Sequence, residues 1–298
     1  MHEFSALFRR NVKLFFKDKG IFFTSLITPL ILLVLYATFL GNVFRDSLQG
    51  NMPSGVVISE ALLNGYVGAQ LISSILAVSC VTVAFCSNML LVQDKVTGAL
   101  RDFQMTPVSP SVLALSYYCA SLASTLLVCY TAAAVCFVYV AAVGWYLSFL
   151  DVLLLLWDVL LLSLFGTALS SVIHFFLSNQ GQISAVGTIV SSGYGFLCGA
   201  YMPLSQFSEG LRRVLSFLPG TYGTALVRNH AMGGVLSAME KEGIPQEALE
   251  GIRDAFDCNI YFFDRLVSPG AMMGVLGGTI VLLIVVYILM NALRQKKH

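Results

Sequence analysis

The sequence predicts an all-α integral membrane protein with six transmembrane helices. The first reason is composition: of 298 residues, 57% are hydrophobic and only 11% are charged, and the mean hydropathy is +0.81. A soluble domain carries about 25% charged residues. The second reason is length, since a helix needs about 20 mostly apolar residues to cross a hydrocarbon core about 30 Å thick. Six stretches reach that length: residues 21–44, 67–92, 112–143, 148–175, 183–203 and 270–292.

Residues 1–20 predict an amphipathic helix that lies on the membrane surface before the first span. Apolar and basic residues are interleaved there at helical spacing, which suits a helix with one face in lipid and one in water. The alternative is an ordinary cytosolic helix. The apolar set is Phe4, Leu7, Phe8, Val12, Phe15 and Phe16, and the basic set is Arg9, Arg10, Lys13 and Lys17.

The basic residues also predict the orientation, because short cytoplasmic segments of membrane proteins carry an excess of Lys and Arg. An N-terminus on the inside places most of the basic residues in short inner segments. We therefore expect one transmembrane domain, residues 1–298, in the cytoplasmic membrane, with both termini in the cytoplasm. The residues on the inside are Arg9, Arg10, Lys13, Lys17, Lys19, Lys95, Arg101, Arg294, Lys296 and Lys297.

Residues 93–111, called here the charged segment, interrupt two uncharged runs. The predicted orientation places this segment in the cytoplasm. Gly98 permits the close approach of a partner backbone, and Pro107 and Pro110 fix how the chain re-enters the membrane. From the pattern alone, the segment is either a solvated loop or a surface that a partner protein grips. Its charged residues are Asp94, Lys95, Arg101 and Asp102.

Residues 204–268 predict an outer polar region. Residues 206–218 form a short amphipathic piece and residues 219–229 a semi-apolar one, and neither is long enough to span a membrane. Pieces of this length predict a re-entrant hairpin between the fifth and sixth spans. Residues 236–265 predict an acidic helical excursion. A solvated face explains the acidic residues, and attraction of a cationic substrate is the alternative.

Two carboxylates lie on the fourth predicted span. Asp158 is about ten residues into it, hence near mid-membrane, and Asp151 lies on the same face. An intramembrane carboxylate is costly, so the pair is a candidate path for a cationic substrate or a proton. The alternatives are a protonated Asp158 hydrogen-bonded to a neighbouring helix, or a span that begins later. We favour a structural role, because no intramembrane basic partner is evident in the sequence.

Glycines at four-residue spacing occur in the fifth and sixth predicted spans. This spacing lets helix backbones approach closely, and it serves either packing within one subunit or a dimer seam. The glycines are Gly195 and Gly199 in the fifth span, and Gly270, Gly274 and Gly278 in the sixth.

The sequence lacks the motifs of an ATP site or of a common enzyme. It contains no GxxxxGK[ST] loop to bind ATP phosphates, and no HExxH, GxSxG or CxxC. A formal net charge of +1 implies no general attraction to nucleic acid. We therefore predict no catalytic residue, no metal site and no cofactor bound by this chain.

Three stretches resemble the permease subunit of type-2 ATP-binding-cassette (ABC) transporters, a group that includes drug and polysaccharide exporters. The first is "RRNVKLFFKDKGIFFTSLITPLILLVLYATFLG", a basic helix running into a span. The second is "DKVTGALRDFQMTPVS", similar to the family's loop between the second and third spans. The third is "GFLCGAYMPLSQFSEGLRRVLSFLPGTYGTALVR", similar to its fifth span, outer re-entrant hairpin and Pro-x-Thr-Tyr turn. These landmarks occur in the family's order.

The resemblance implies an exporter permease that pairs with a second permease subunit, identical or not, and binds two separate P-loop ATPase subunits. ATP and Mg²⁺ would then bind the ATPase partners. It also implies that the charged segment couples ATP hydrolysis to transport. In that role Asp94, Lys95, Arg101 and Asp102 contact the ATPase, and Gly98 and Pro107 shape the segment. The rival functions are a proton-coupled secondary transporter that uses Asp158, and a membrane-embedded enzyme.

Overall fold

The computed structural model describes residues 2–50, 58–263 and 265–295. Within these ranges the chain is almost entirely helical, with one two-stranded antiparallel sheet in which Tyr261 pairs with Leu266. The helices are α1 (His2–Lys17), α2 (Lys19–Leu35), α3 (Gly41–Gly50), α4 (Glu60–Ser87), α5 (Met89–Thr97), α6 (Ala99–Gln104), α7 (Pro110–Val143), α8 (Phe149–Phe176), α9 (Gln180–Leu197), α10 (Glu209–Leu215), α11 (Pro219–Lys241), α12 (Gln246–Ala255) and α13 (Pro269–Gln295). A π-helical turn, Tyr36–Leu40, joins α2 to α3, a 3₁₀ turn spans Leu204–Gln206, and the strands are β1 (Tyr261–Phe262) and β2 (Arg265–Leu266).

Helix starts follow local capping chemistry. The hydroxyls of Ser59, Ser109 and Ser148 accept hydrogen bonds from backbone N–H groups of the first turns of α4, α7 and α8. A hydroxyl in this position satisfies a donor that has no partner within the helix. At α7 the cap is followed by Pro110, whose fixed φ and missing N–H suit the first helical position.

Helix α4 is the central element, and every residue from Gly65 to Asn88 is buried. Its sequence is apolar or small on all sides, as expected for a helix surrounded by other helices. Helices α2, α7, α8 and α11 pack around it. Gly166 on α8 allows a close approach, since a Cβ there would lie 2.9 Å from Cys80 O. The charged segment is therefore joined directly to the most buried helix of the fold.

Five helical regions are long and apolar enough to cross a membrane, among the residues that the structure describes. They confirm five of the six predicted spans, with α4 beginning earlier than predicted and continuing through α5. The regions are Ser25–Gly50, Glu60–Thr97, Pro110–Val143, Phe149–Phe176 and Pro269–Leu293.

Helix α9, which corresponds to the predicted fifth span 183–203, is not one of those five regions. It has 18 residues and ends at Leu197. Gly199 then adopts φ +77°, a left-handed conformation that stops a right-handed helix. The predicted C-terminal end at residue 203 was therefore six residues too late.

The predicted boundary within residues 204–268 was also wrong. The pieces assigned to 219–229 and to the start of 236–265 form one helix, α11, of 23 residues. This helix is largely buried against α4, α8 and α13. Glycines and polar side chains keep its apolar content low, so hydropathy does not identify it. A Cβ at Gly234, for example, would collide with the backbone at Tyr146.

The two ends of the helix bundle differ in character. At one end, called the basal end, Lys95 and Asn291 line a common pocket, so the charged segment lies beside the C-terminal part of α13. The helix α1 packs at the same end through Leu7, Asn11 and Phe15, against α7 and α5. Both ends of the described chain thus lie at the basal end. Lys296 and Lys297, two of the basic residues that predict the cytoplasmic side, lie outside the described residues.

Residues 198–218 and 242–263, called here the distal layer, lie at the opposite end. The short loop between α7 and α8 marks that end, since Gly144 lies against Gly65 near the start of α4. Phe217 of the layer packs edge-to-face on Phe262 and Phe263. The charged segment and the distal layer are therefore separated by the length of the bundle.

Candidate functional site

The charged segment contains the C-terminal part of α5 and all of α6, and these two short helices meet at Gly98. Gly98 has φ +87°, which is unfavourable for residues with a Cβ by about 1–2 kcal/mol. A Cβ at this position would meet nothing within 4 Å in this chain. Glycine is therefore needed here for the left-handed turn, and the open space beside it is compatible with the predicted approach of a partner.

Asp94 does not lie at the surface, contrary to the expectation that it contacts a partner. It is 5% exposed, and its carboxylate receives a bidentate pair of hydrogen bonds from Arg10 of α1, at 2.5 and 2.9 Å. The Tyr117 hydroxyl of α7 donates a third, at 2.5 Å. The hydrogen bonds to Asp94 raise the pKa of the Arg10 guanidinium. Asp94 thus ties α5 to α1 and α7.

Lys95 is engaged in the same way, on the other side of the segment. Its Nζ donates to the carbonyl oxygens of His174, Phe175 and Leu177, at 2.8, 2.7 and 3.0 Å. These are carbonyls at the C-terminal end of α8, where a cation is favoured both by hydrogen bonding and by the helix dipole. The predicted contact of Lys95 with a partner is therefore replaced by a contact within the chain.

The other predicted contact residues remain available. Arg101, Asp102 and Pro107 are exposed, on α6 and on the turn that follows it. The sequence pattern placed Asp94 and Lys95 in the same set because all four charges lie close together in the chain. The structure divides them: the first two brace the segment and the last two face outward.

A cleft of about 990 Å³ opens at the basal end, beside the exposed part of the charged segment. One wall is formed by residues 95–110 and the other by residues 175–178, at the end of α8. Two large apolar side chains flank it in exposed positions, Met105 at 86% and Phe176 at 68%. Exposed apolar groups beside a concave surface are typical of a protein–protein contact.

Asp151 lies at the first turn of α8, at the distal end of that span. Its Oδ2 accepts hydrogen bonds from the backbone N–H and the hydroxyl of Ser148, and Ser148 Oγ accepts the Asp151 N–H in return. This reciprocal capping box, with an acidic group at a helix N-terminus, is a structural reason for aspartate at this position. Its place in a substrate path stays a prediction.

Asp158 has a basic partner that the sequence did not indicate. It is buried in the interior of α8, and His230 Nδ1 of α11 lies 2.5 Å from its Oδ2. The expectation that no basic partner exists was wrong because His230 falls in the region interpreted as an outer piece. The two residues are 72 positions apart, and only the burial of α11 brings them together.

A second ion pair that sequence reasoning missed fixes α11 to the distal layer. Arg228 is fully buried and donates to Phe256 O, to Gly199 O and, at 3.4 Å, to Asp257 Oδ2. Burial raises the pKa of Asp257, and the Arg228 cation and two backbone N–H groups oppose that rise. The sequence feature that could have indicated this contact is an arginine within a stretch of mostly uncharged residues, 219–239.

The glycines at four-residue spacing have different surroundings in the two predicted spans. Gly195 packs so closely against the Tyr201 ring that a Cβ there would collide with it, but Gly199 lies beyond the end of α9. The interpretation of these two as one helix-packing stripe was therefore wrong. A Cβ at Gly270, Gly274 or Gly278 would meet nothing within 4 Å. Those three do not pack closely against the described part of this chain, and their use at a dimer seam stays a prediction.

These features define a multi-pass membrane protein whose basal end presents a braced, partly exposed charged segment. The ABC-2 type transporter family matches residues 2–231, from α1 into α11. The chain therefore belongs to the ABC-2 type transporter family, as a transmembrane permease subunit. Among curated proteins, none matches this sequence.

Proposed function

We propose that the chain is one of two permease subunits of an ABC exporter that is driven by two separate P-loop ATPase subunits. The observation that carries the proposal is the basal cleft with its exposed residues Arg101, Asp102 and Met105, in a chain that has no P-loop of its own. The ATPase subunits bind this surface and carry ATP and Mg²⁺.

The bracing of the charged segment supports a role in transmitting movement. A displacement of α6 by an ATPase is carried through α5 to α1 and α7 by Asp94, and to α8 by Lys95. A solvated loop does not need two such anchors. Charged residues that remain exposed set the register and specificity of the contact more than its affinity.

The composition of α9 supports a six-span arrangement with a dimer. This helix starts at the basal end, where Ile183 packs with Val92 and Leu177. Its exposed face is rich in small and hydroxyl residues, which are typical of helix–helix contacts in membranes. We infer that α9 also crosses the membrane, as the fifth of six spans in chain order, and faces the second permease subunit, with the substrate path between the two. The small and polar residues among the exposed ones include Gly181, Gln182, Ser184, Ala185, Thr188, Ser191 and Ser192, and the large apolar ones are Ile189, Phe196 and Leu197.

The orientation is part of the same proposal. The basal end lies in the cytoplasm with both termini, and α10 with the start of α11 forms the re-entrant hairpin on the outer side of the cytoplasmic membrane. Export is the direction that the family resemblance favours. The positive-inside rule supports this orientation.

The test is recovery of an ATPase partner with the tagged permease. We expect wild-type permease to co-purify with a P-loop ATPase from its native membrane, and Arg101→Ala/Asp102→Ala to recover about tenfold less, corresponding to about 1.4 kcal/mol of binding energy. The matched control is Arg212→Ala/Glu209→Ala on α10, an exposed pair at the distal end. Absence of any P-loop partner, or equal recovery with all three proteins, contradicts the proposal.

A proton-coupled secondary transporter is the second candidate, and the contact between Asp158 and His230 is the observation that favours it. It differs in its energy source. Transport that follows a proton gradient without an ATPase, and that is lost in Asp158→Asn, supports the second candidate and contradicts the first.

A further inference from the structure

Helices α8 and α11 meet at a pair of ionisable side chains in the interior. Asp158 is 1% exposed, and His230 Nδ1 lies 2.5 Å from its Oδ2. The second carboxylate oxygen, Oδ1, is buried and has no hydrogen-bond partner within the described part of the chain. The His230 side chain is 14% exposed, so the imidazole is the more accessible member of the pair.

The helices packed around this pair bring almost no charge to it. Helix α7, helix α9 and residues 269–293 of α13 contain no Asp, Glu, Lys, Arg or His, and α4 contains only Glu60, at its distal start. The titratable groups nearby on α4 and α7 are Cys80, 3.8 Å from Val159 O, and Tyr130, which donates to Leu156 O.

Among the other charged or titratable groups of α8 and α11, His174 lies at the basal end of α8 and Glu240 and Lys241 lie at the distal end of α11, whereas Asp151 and Arg228 lie closer to the pair in sequence and have partners of their own. Asp151 accepts from Ser148, although its Oδ1 lies 3.6 Å from the Cβ position of Gly233, one turn from His230. Arg228 is held by Asp257 and by backbone carbonyls. The charge of the Asp158–His230 pair is therefore balanced within the pair.

Two protonation states of the pair differ in net charge. A histidine cation beside the aspartate carboxylate is neutral overall. Loss of one proton leaves a buried carboxylate beside a neutral imidazole, and an uncompensated buried charge is strongly unfavourable. The contact between α8 and α11 is consequently strongest when the pair holds the proton, and it weakens as the pH rises and the proton leaves.

We propose that Asp158 and His230 form a proton-binding site that clamps α11 to α8 and so keeps the distal layer closed. The neighbours of His230 make this connection: Arg228 donates to Gly199 O and Phe256 O, and Asn229 Nδ2 donates to Cys258 O at 2.5 Å. A shift of α11 therefore moves both parts of the distal layer. The site concerns the distal half of the chain, and it stands whether or not an ATPase binds the basal end.

The native thiol of Cys258 reports on this closure. Cys258 is 2% exposed and lies against Met232 of α11, with sulfur atoms 3.6 Å apart. The full-length chain in lipid nanodiscs is treated with a water-soluble maleimide between about pH 5 and about pH 8, the range in which histidine ordinarily titrates. Mass spectrometry of the Cys258 peptide gives the labelling rate. This rate is divided by the labelling rate of the unfolded chain at the same pH, because the reactivity of a thiol itself increases with pH.

We expect the normalised labelling of wild type to rise by about tenfold across this range, as for a change of about 1.4 kcal/mol in the closed state. His230→Gln and Asp158→Asn each remove the rise, and the double variant behaves like either single one, because the three proteins lack the same site. Asp151→Asn, the control on the same helix, keeps the rise.

A pH response that persists in His230→Gln overturns the proposal, and so do additive effects of the two substitutions on thermal stability. If Asp158→Asn does not fold, His230→Gln and His230→Asn decide the question alone, since the largely buried imidazole is replaced by neutral amides. A flat response in wild type also overturns it. A failed ATPase co-purification leaves these outcomes unchanged, so the two proposals fail separately.

Discussion

Replacing Arg228 with methionine is expected to destabilise the chain by about 3–5 kcal/mol, because a buried charge loses its partner. Arg228 is fully buried, and it alone joins α11 to both Gly199 O and Phe256 O among the described contacts. Its removal leaves Asp257, 5% exposed, without a cation. The measurement is thermal unfolding of the purified chain in detergent, monitored by circular dichroism.

A control substitution and a second-site rescue test whether the loss of stability comes from the Arg228 contacts. Arg212→Met changes an exposed arginine of α10 and is expected to shift stability by less than about 0.5 kcal/mol. Adding Asp257→Asn to Arg228→Met is expected to recover part of the loss, since the unpaired charge is removed and asparagine tolerates the φ of +53° at this position. Equal effects of Arg228→Met and Arg212→Met contradict the assignment.

Reversing the charge of Asp94 is expected to free the charged segment from the bundle. Asp94→Arg places a cation beside Arg10 and removes the acceptor of the Tyr117 hydroxyl. Breaking a buried charge pair costs about 3–5 kcal/mol, so α5 and α6 should open locally while α4 and the other helices of the bundle stay folded. Hydrogen exchange of residues 89–104, measured by mass spectrometry, should become faster by more than about tenfold.

The reciprocal variant separates this contact from general damage. Arg10→Asp/Asp94→Arg restores opposite charges at the two positions, and we expect it to recover most of the protection. Arg9→Asp, an exposed neighbour on α1, should leave exchange unchanged. Unchanged exchange in Asp94→Arg, or a double variant as fast as the single one, is inconsistent with the anchor.

Segments with uniform composition could be predicted from the sequence. Helices α7 and α8 lie within one residue or two of the predicted spans 112–143 and 148–175, because both are long, apolar and bounded by capping serines. Helix α11 could not be predicted, since its burial depends on the surrounding helices and not on its own hydropathy. The glycines that hydropathy penalises are those that permit its close packing, as at Gly223 against Leu162.

The location of the candidate site could be predicted, but the roles of its residues could not. The charged segment stands out because it interrupts two apolar runs. Whether a charge in it faces outward depends on partners distant in sequence, such as Arg10, 84 residues from Asp94, and the carbonyls that bind Lys95. His230 was overlooked for the same reason, because its partner lies on another helix.

The most direct test of the coupling surface is photo-crosslinking from Met105, the most exposed large apolar residue of the charged segment. A benzophenone amino acid at this position, in permease expressed in its native membrane, should crosslink to a P-loop ATPase subunit. The same amino acid at Phe149, which is 80% exposed at the distal end, should not. Identification of the ATPase at Met105 alone is the result that our proposal predicts. Crosslinks to lipid only at Met105, or to the ATPase from Phe149, would contradict it.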